Sequence, residues 1–311
     1  MIKEQPLNPP LQIATMGDMV MDILVLTDYS NLRVEGETVG RVRHVPGGSA
    51  ANFAVWAART LGARGQISFI GKVGLDISGP ALIEGLQREG VNACVNASHD
   101  GSSLPTGTVL VVSSSSGQRL MISDPGAGRQ ISVVEVEQCL GSIVDLRAFH
   151  LTSYSLFSDP PRPAALRACE IAHQQGALVC LDPSSASQIV AMGGEFDRLL
   201  RVVLPDLLIP TLDEGRTLTG ETEPLAVAAS LHQYAPLVVL KLGSEGCLVS
   251  TAAGLRQHLP ATPTPVLDVT GAGDSFAAAF LCEYLLTGDP LAAGAAANAL
   301  GAKVVAMLGA R

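Results

Sequence analysis

Short apolar runs alternate with amphipathic helical segments along almost the whole chain, and this rhythm narrows the possible folds more than any other feature. Residues 11–16, 66–70, 148–151, 177–181, 207–209 and 237–240 read as strands. Residues 49–61, 78–89, 163–175 and 224–234 read as the helices between them. These strands lack the polar alternation of a half-exposed sheet, so both of their faces are expected to be covered. Buried strands separated by helices predict an α/β fold, doubly wound around a mostly parallel sheet. Residues 273–286 and 291–308 are Ala-rich and helical, with no strand between them.

Two segments break the rhythm. Residues 106–123 hold two strand-like runs around a polar Ser-Ser-Gly turn, which is a hairpin pattern. Residues 22–45 carry Val/Leu runs broken by polar turns. Together they predict a small sheet over one edge of the main one. The lid is then built from insertions in a single α/β domain spanning residues 1–311, and its free strand edges suit a homodimer contact.

A formal charge of −9 leaves no broad surface for nucleic acid or an anionic membrane. A phosphate can still be held by local dipoles. Six cysteines fall outside any CxxC pair, and several sit in apolar runs, so reduced buried thiols are expected rather than a disulfide frame or a zinc site. Residues 1–10 lack the apolar stretch of a signal peptide, and no run reaches the ~18 apolar residues of a membrane helix. The expectation is a soluble cytoplasmic protein.

The most informative stretch is Asp268-Val-Thr-Gly-Ala-Gly-Asp274-Ser-Phe-Ala-Ala-Ala-Phe. A glycine turn runs straight into a helix, leaving the N–H groups of Gly271, Ala272 and Gly273 at the positive end of its dipole, a ready anion site. Asp274 beside such a site is either a plain helix cap or a proton acceptor for an attacking hydroxyl. A second turn, Pro46-Gly47-Gly48-Ser49-Ala-Ala-Asn52, precedes a helix that Ser49 is placed to cap, with Asn52 in its first turn facing the glycines.

The thirteen-residue string resembles the C-terminal signature of the ribokinase, or PfkB-type carbohydrate kinase, family, and the remaining motifs follow in family order from residue 11 to 309. The resemblance implies a ribokinase-like fold with Asp274 as catalytic base and Gly271, Ala272 and Gly273 as anion hole. It implies that Asp22, Gly47, Gly48 and Asn52 hold the acceptor. Lys241, Gly243 and Gly246 match the strand end that cradles ATP, and Asn298 matches the position bordering the adenine. Asp268 matches a site for a monovalent cation, K+. The family's Asn-x-x-Glu appears here as Thr211-Leu-Asp-Glu214, so Glu214 is kept for Mg2+ through water while Thr211 replaces the amide. The turn around Gly71, Asp76 and Gly79 is read as structural, and Asp182, at a strand end, as a turn aspartate or else a supporting partner of the site.

These residues imply an ATP-dependent phosphotransferase acting on a hydroxyl of a small sugar. A nucleoside kinase of the same fold, with Tyr29 or Tyr154 as stacking surface, and a nucleotide-binding regulator without turnover are the alternatives. A sugar phosphate would call on Arg33, Arg41, Arg43 or Arg119. The chain lacks Gly-x-x-x-x-Gly-Lys-Ser/Thr and has no Gly-x-Gly-x-x-Gly after its first strand, which removes P-loop kinases and dinucleotide enzymes.

Overall fold

The computed structural model describes residues 9–27, 35–97, 104–113 and 119–311. The chain runs through β1 (Leu11–Met16), β2 (Val20–Leu26), β3 (Arg41–Gly47), α1 (Ser49–Leu61), β4 (Gly65–Val73), α2 (Ser78–Arg88) and β5 (Val91–Ala97). It continues with β6 (Thr106–Ser113), β7 (Arg119–Gly126), α3 (Val133–Gly141), β8 (Leu146–Thr152), α4 (Pro161–Gln174) and β9 (Leu178–Asp182). Next come α5 (Ala186–Met192), α6 (Gly194–Val203), β10 (Leu207–Leu208), α7 (Leu212–Thr219), α8 (Pro224–Leu231) and β11 (Leu237–Lys241). β12 (Cys247–Thr251), β13 (Arg256–Leu259), α9 (Ala272–Thr287) and α10 (Pro290–Val305) complete it.

The main sheet has the order β13-β12-β11-β10-β9-β8-β1-β4-β5. From β11 to β5 every pairing is parallel, and only β12 and β13 turn back antiparallel. Its two faces are buried against separate helix layers, as the unbroken apolar runs require. Ile13, Phe69, Cys180 and Val239 face the layer built from α1, α9 and α10, while Met16, Ile70, Phe149 and Leu240 face the layer built from α3, α4 and α8. Parallel strands put all their C-terminal ends on one edge, where α/β proteins bind ligands. Gly17, Asp182 and Lys241 stand on or just past those ends.

The two irregular segments do form one sheet, of order β3-β2-β6-β7. Asp22 on β2 lies opposite Val45 on β3 and Val109 on β6, so the insertion from residue 22 and the hairpin share a central pairing. The hairpin tip, Tyr29 and Arg33 lie outside the described residues, as does the Arg119 side chain; Arg41 and Arg43 are solvent-exposed. The lid is tied down by Asp76: its carboxylate accepts from the Ser78 and Gly79 amides at the start of α2 and from the Thr106 amide and hydroxyl at the start of β6. That bears out a structural role for this turn.

One cysteine expectation fails. Cys94 on β5 and Cys139 on α3 form a disulfide, 45 residues apart, while Cys169, Cys180, Cys247 and Cys282 are free and buried as expected. The pairing is not legible in the sequence because β5 lacks a clear strand pattern, and only its position at the sheet edge brings Cys94 to α3. Among the described residues no helix is long and apolar enough to cross a membrane.

Candidate active site

A cavity of about 480 Å³ opens between the strand ends and the lid. Asp22, Val109, Met121 and Arg129 wall it on the lid side, and Asp182, Thr211, Glu214 and Lys241 wall it on the sheet side. Gly48, Ser49 and Asn52 meet Gly271, Gly273 and Asp274 across its floor.

The start of α9 is forced by its own residues. Gly271 is left-handed, with φ of 74°, and a Cβ there would lie 2.7 Å from the Ala310 backbone, so only glycine fits. The helix therefore begins at Ala272, and Asp274 falls in its first turn. The Ala272 N–H donates to the Val269 carbonyl at 3.2 Å, which closes the turn and corrects the expectation that this amide is free for an anion. Gly273 lies one residue further on, where first-turn amides have no intrahelical acceptor. A Cβ on Gly273 would come 3.5 Å from the Lys241 ammonium, so cation and helix dipole converge on one point.

Asp274 is held by α1. The Ser49 hydroxyl donates to its Oδ1 at 2.6 Å, and the Asn52 amide donates to its Oδ2 at 2.8 Å. The expected Ser49 cap is absent: Gly48 occupies the cap position with no side-chain bond, because the Ser49 hydroxyl is turned to Asp274 instead. The Ser49 N–H donates to Asp18 Oδ2 at 3.1 Å. Burial pushes Asp274 up to about 7, against the lowering effect of its two hydrogen bonds. Asp22, also buried, is pushed up to about 7, chiefly by desolvation and then by neighbouring Asp18. The glycine pair makes room for these carboxylates: a side chain on Gly47 would run into Asp22, and one on Gly48 into the Asp18 backbone.

On the other wall, Lys241 donates to Asp182 at 2.6 Å in a nearly buried ion pair. Burial alone would lower the Lys241 ammonium, but Asp182, Glu214 and Asp274 hold it above its ordinary value. Glu214 is raised by burial and by Asp182. Thr211 and Glu214 form a capping box on α7: the Thr211 hydroxyl accepts from the Glu214 amide at 3.3 Å, and Glu214 Oε2 accepts from the Thr211 amide at 2.7 Å. Both line the cavity, and the hydroxyl that replaces the amide completes the cap.

Three motif residues lie elsewhere. Gly243 and Gly246 bracket the turn from β11 to β12, and Asn298 on α10 donates to the Leu259 and Pro260 carbonyls at 2.9 and 3.3 Å. None of the three lines the cavity. Asp268 stands behind the α9 turn, accepting from the Thr270 amide and hydroxyl and from the Gly309 amide. Of the two readings of Asp182, the supporting partner holds: it pairs with Lys241, and its place at the C-terminal end of a parallel strand is the signal for it. Asp18 and Arg129 were missed because nothing local marks them, and only the fold brings them to the cavity.

The sequence matches the pfkB family carbohydrate kinase model over residues 11–311. A fructokinase of Klebsiella pneumoniae is 29% identical over 286 residues, covering 90% of this chain and 86% of the relative. A crystal structure of a putative ribokinase II from E. coli in complex with ATP and Mg2+ shares 26% identity and a TM-score of 0.83, covering 96% of this chain and 94% of that one. Aminoimidazole riboside kinase from Salmonella enterica, complexed with its riboside and an ATP analogue, shares 25% identity and a TM-score of 0.75, covering 96% and 95%.

Proposed function

The chain belongs to the pfkB family of carbohydrate kinases, and from that premise we propose that it moves the terminal phosphoryl group of ATP to a hydroxyl of a free sugar, with Asp274 as the base. One observation carries the reading: the Asp274 carboxylate stands in the first turn of α9, where free amides and Lys241 also converge, and opens onto the same cavity as Asp22 and Asn52. An anion-binding helix start and a carboxylate repel each other's ligands unless a phosphoryl group and an acidic proton arrive there together.

In this scheme the Gly271 and Gly273 amides at the start of α9 and the Lys241 ammonium hold the phosphoryl group as charge moves onto its oxygens. Asp274 accepts the proton of the attacking hydroxyl. Held near 7, it is poised between carrying the proton and releasing it at neutral pH. Ser49 and Asn52 fix both of its oxygens, so the base is aimed before substrate arrives. Asp22 is suited to accept from hydroxyls next to the attacked one, and the Asn52 Oδ1, buried without a partner, adds a further acceptor. Wall residues of this kind match a polyol better than an anion. The lid closes water out of the site.

Mg2+ fits the sheet-side wall, where Glu214 keeps one oxygen beyond its capping bond and would hold the ion through water; once bound, the ion would supply positive charge against the phosphates. K+ at Asp268, ATP contacts at Gly243, Gly246 and Asn298, and a dimer through the exposed lid edge belong to the same proposal.

The riboside-binding relative favours one second reading, a ribose hydroxyl of a nucleoside as acceptor, with Tyr154 on the cavity wall as the stacking side chain. ADP release measured across hexoses, pentoses and nucleosides, with and without K+, tests both. Turnover with a free sugar supports the first reading, turnover with nucleosides alone supports the second, and no acceptor-dependent ADP release would leave a nucleotide-binding regulator.

A further inference from the structure

Three tethers bind residues 309–311 across the site. The Gly309 amide donates to Asp268 at 3.0 Å, and the Ala310 carbonyl accepts from the buried Trp56 indole at 2.8 Å. Ala310 also fills the space that a side chain on Gly271 would need. These contacts deliver the Arg311 guanidinium to the acceptor loop, where Nη2 donates to the Gly47 carbonyl at 3.5 Å and Nη1 is buried without a partner. Gly47 is the residue whose missing side chain leaves room for the Asp22 carboxylate. One backbone residue thus separates the guanidinium from the carboxylate.

The charges facing Arg311 are Asp22 on β2, Asp18 just before it, Asp274 on α9, Glu89 past the end of α2 and Arg59 on α1. Glu89 and Arg59 already pair at 2.6 Å, so the guanidinium is left to the three aspartates. Lys241 is engaged with Asp182 on the opposite wall and shares only Asp274 of that trio with Arg311. A buried carboxylate without a nearby cation is costly and tends to neutralise. In line with this, Arg311 opposes the burial that drives Asp22 upward.

We propose that Arg311 is a positioning residue for the acceptor, supplying the buried counter-charge that keeps Asp22 and the Gly47 loop in the form that receives sugar hydroxyls. The proposal rests on the kinase reading and adds to it a residue that touches neither substrate. Residues 309–311 then join the α9 turn, through Asp268 and Gly271, to the acceptor loop.

The test compares R311Q and R311K with wild type, using ATP and whichever free sugar the wild type turns over. R311Q is expected to raise the acceptor KM about tenfold, the effect of losing one charge-assisted contact, while the KM for ATP stays put. R311K, which keeps the charge, should recover most of that loss. If residue 311 served packing alone, both variants would melt earlier to the same degree and neither would shift the acceptor KM selectively. That result, or a wild-type acceptor KM in R311Q, overturns the proposal. Wild-type protein that releases no ADP with any sugar would sink the free-sugar reading and this proposal with it; an active wild type beside an indifferent R311Q sinks this proposal alone.

Discussion

The two halves of the cavity are built differently. On the acceptor side, side chains far apart in sequence already hold one another: Asp274 is bonded to Ser49 and Asn52, separated by 225 and 222 residues. On the side proposed for the nucleotide, Lys241 and Asp182 pair in the same way, but the motif residues beyond the cavity hold backbone instead. Gly246 is left-handed and packed against the Leu259 carbonyl, and Asn298 ties α10 to residues 259 and 260. The first half is a preorganised network of charged and polar side chains; the second is a set of turns that shape a surface. Substitutions should therefore act on chemistry and acceptor binding in the first half, and on local stability together with ATP binding in the second.

The largest expected effect is at the base. D274N should lower kcat by ~10²–10⁴, the range for losing a general base. Its melting temperature should not fall, because a desolvated carboxylate is replaced by a neutral amide. Near wild-type turnover in steady-state assays would remove Asp274 from the chemistry.

Next comes K241M, which leaves the buried Asp182 unpaired. Breaking one partner of a buried ion pair costs about 3–5 kcal/mol, measurable by denaturant unfolding. The KM for ATP should also rise. If only the acceptor KM moved, the division between the two walls would be wrong.

G47A tests the acceptor loop. The added methyl meets the Asp22 carboxylate, and overpacking of that kind costs about 1–3 kcal/mol, so the acceptor KM should rise by about tenfold or more with the KM for ATP unchanged. An unaltered acceptor KM would show that Asp22 is free to move away.

The pH profile follows from the same half. Asp22 and Asp274 both stand near 7 and both act as carboxylates, so kcat/KM should fall as pH drops through about 7. A profile flat from pH 5 to pH 8 would contradict it. The smallest effect is expected at N298A, which loses two side-chain bonds: a stability loss of about 1 kcal/mol, with a modest rise in the KM for ATP. An unchanged KM for ATP beside that stability loss would move Asn298 from nucleotide contact to scaffold.

Much of this is legible in the chain itself. The strands of the main sheet that carry the site announce themselves as apolar runs, since a strand covered on both faces needs apolar side chains along its whole length. The α1 boundaries, Ser49 to Leu61, follow from the glycine pair before it and the apolar stripe within it. β5, β12 and β13 escape a sequence reading because they sit towards the sheet's edges, where polar residues such as Asn92, Gln257 and His258 blur the pattern. Ser49 illustrates the other kind of miss. As a cap it has a local explanation, and local reasoning has no means of knowing that a carboxylate from α9 offers its hydroxyl a charged acceptor instead.

The sequence by itself determined the architecture and the place of the two glycine turns, because helix starts, buried strands and left-handed glycines are governed by interactions a few residues long. Tertiary structure alone decided which side chains share a cavity: Asp274 with Ser49 and Asn52, Lys241 with Asp182, Arg311 with the loop that carries Gly47. Those pairings reach across as many as 264 residues and depend on how helices pack on the sheet. The charges they bring together shift one another through burial and proximity, which only a folded chain provides.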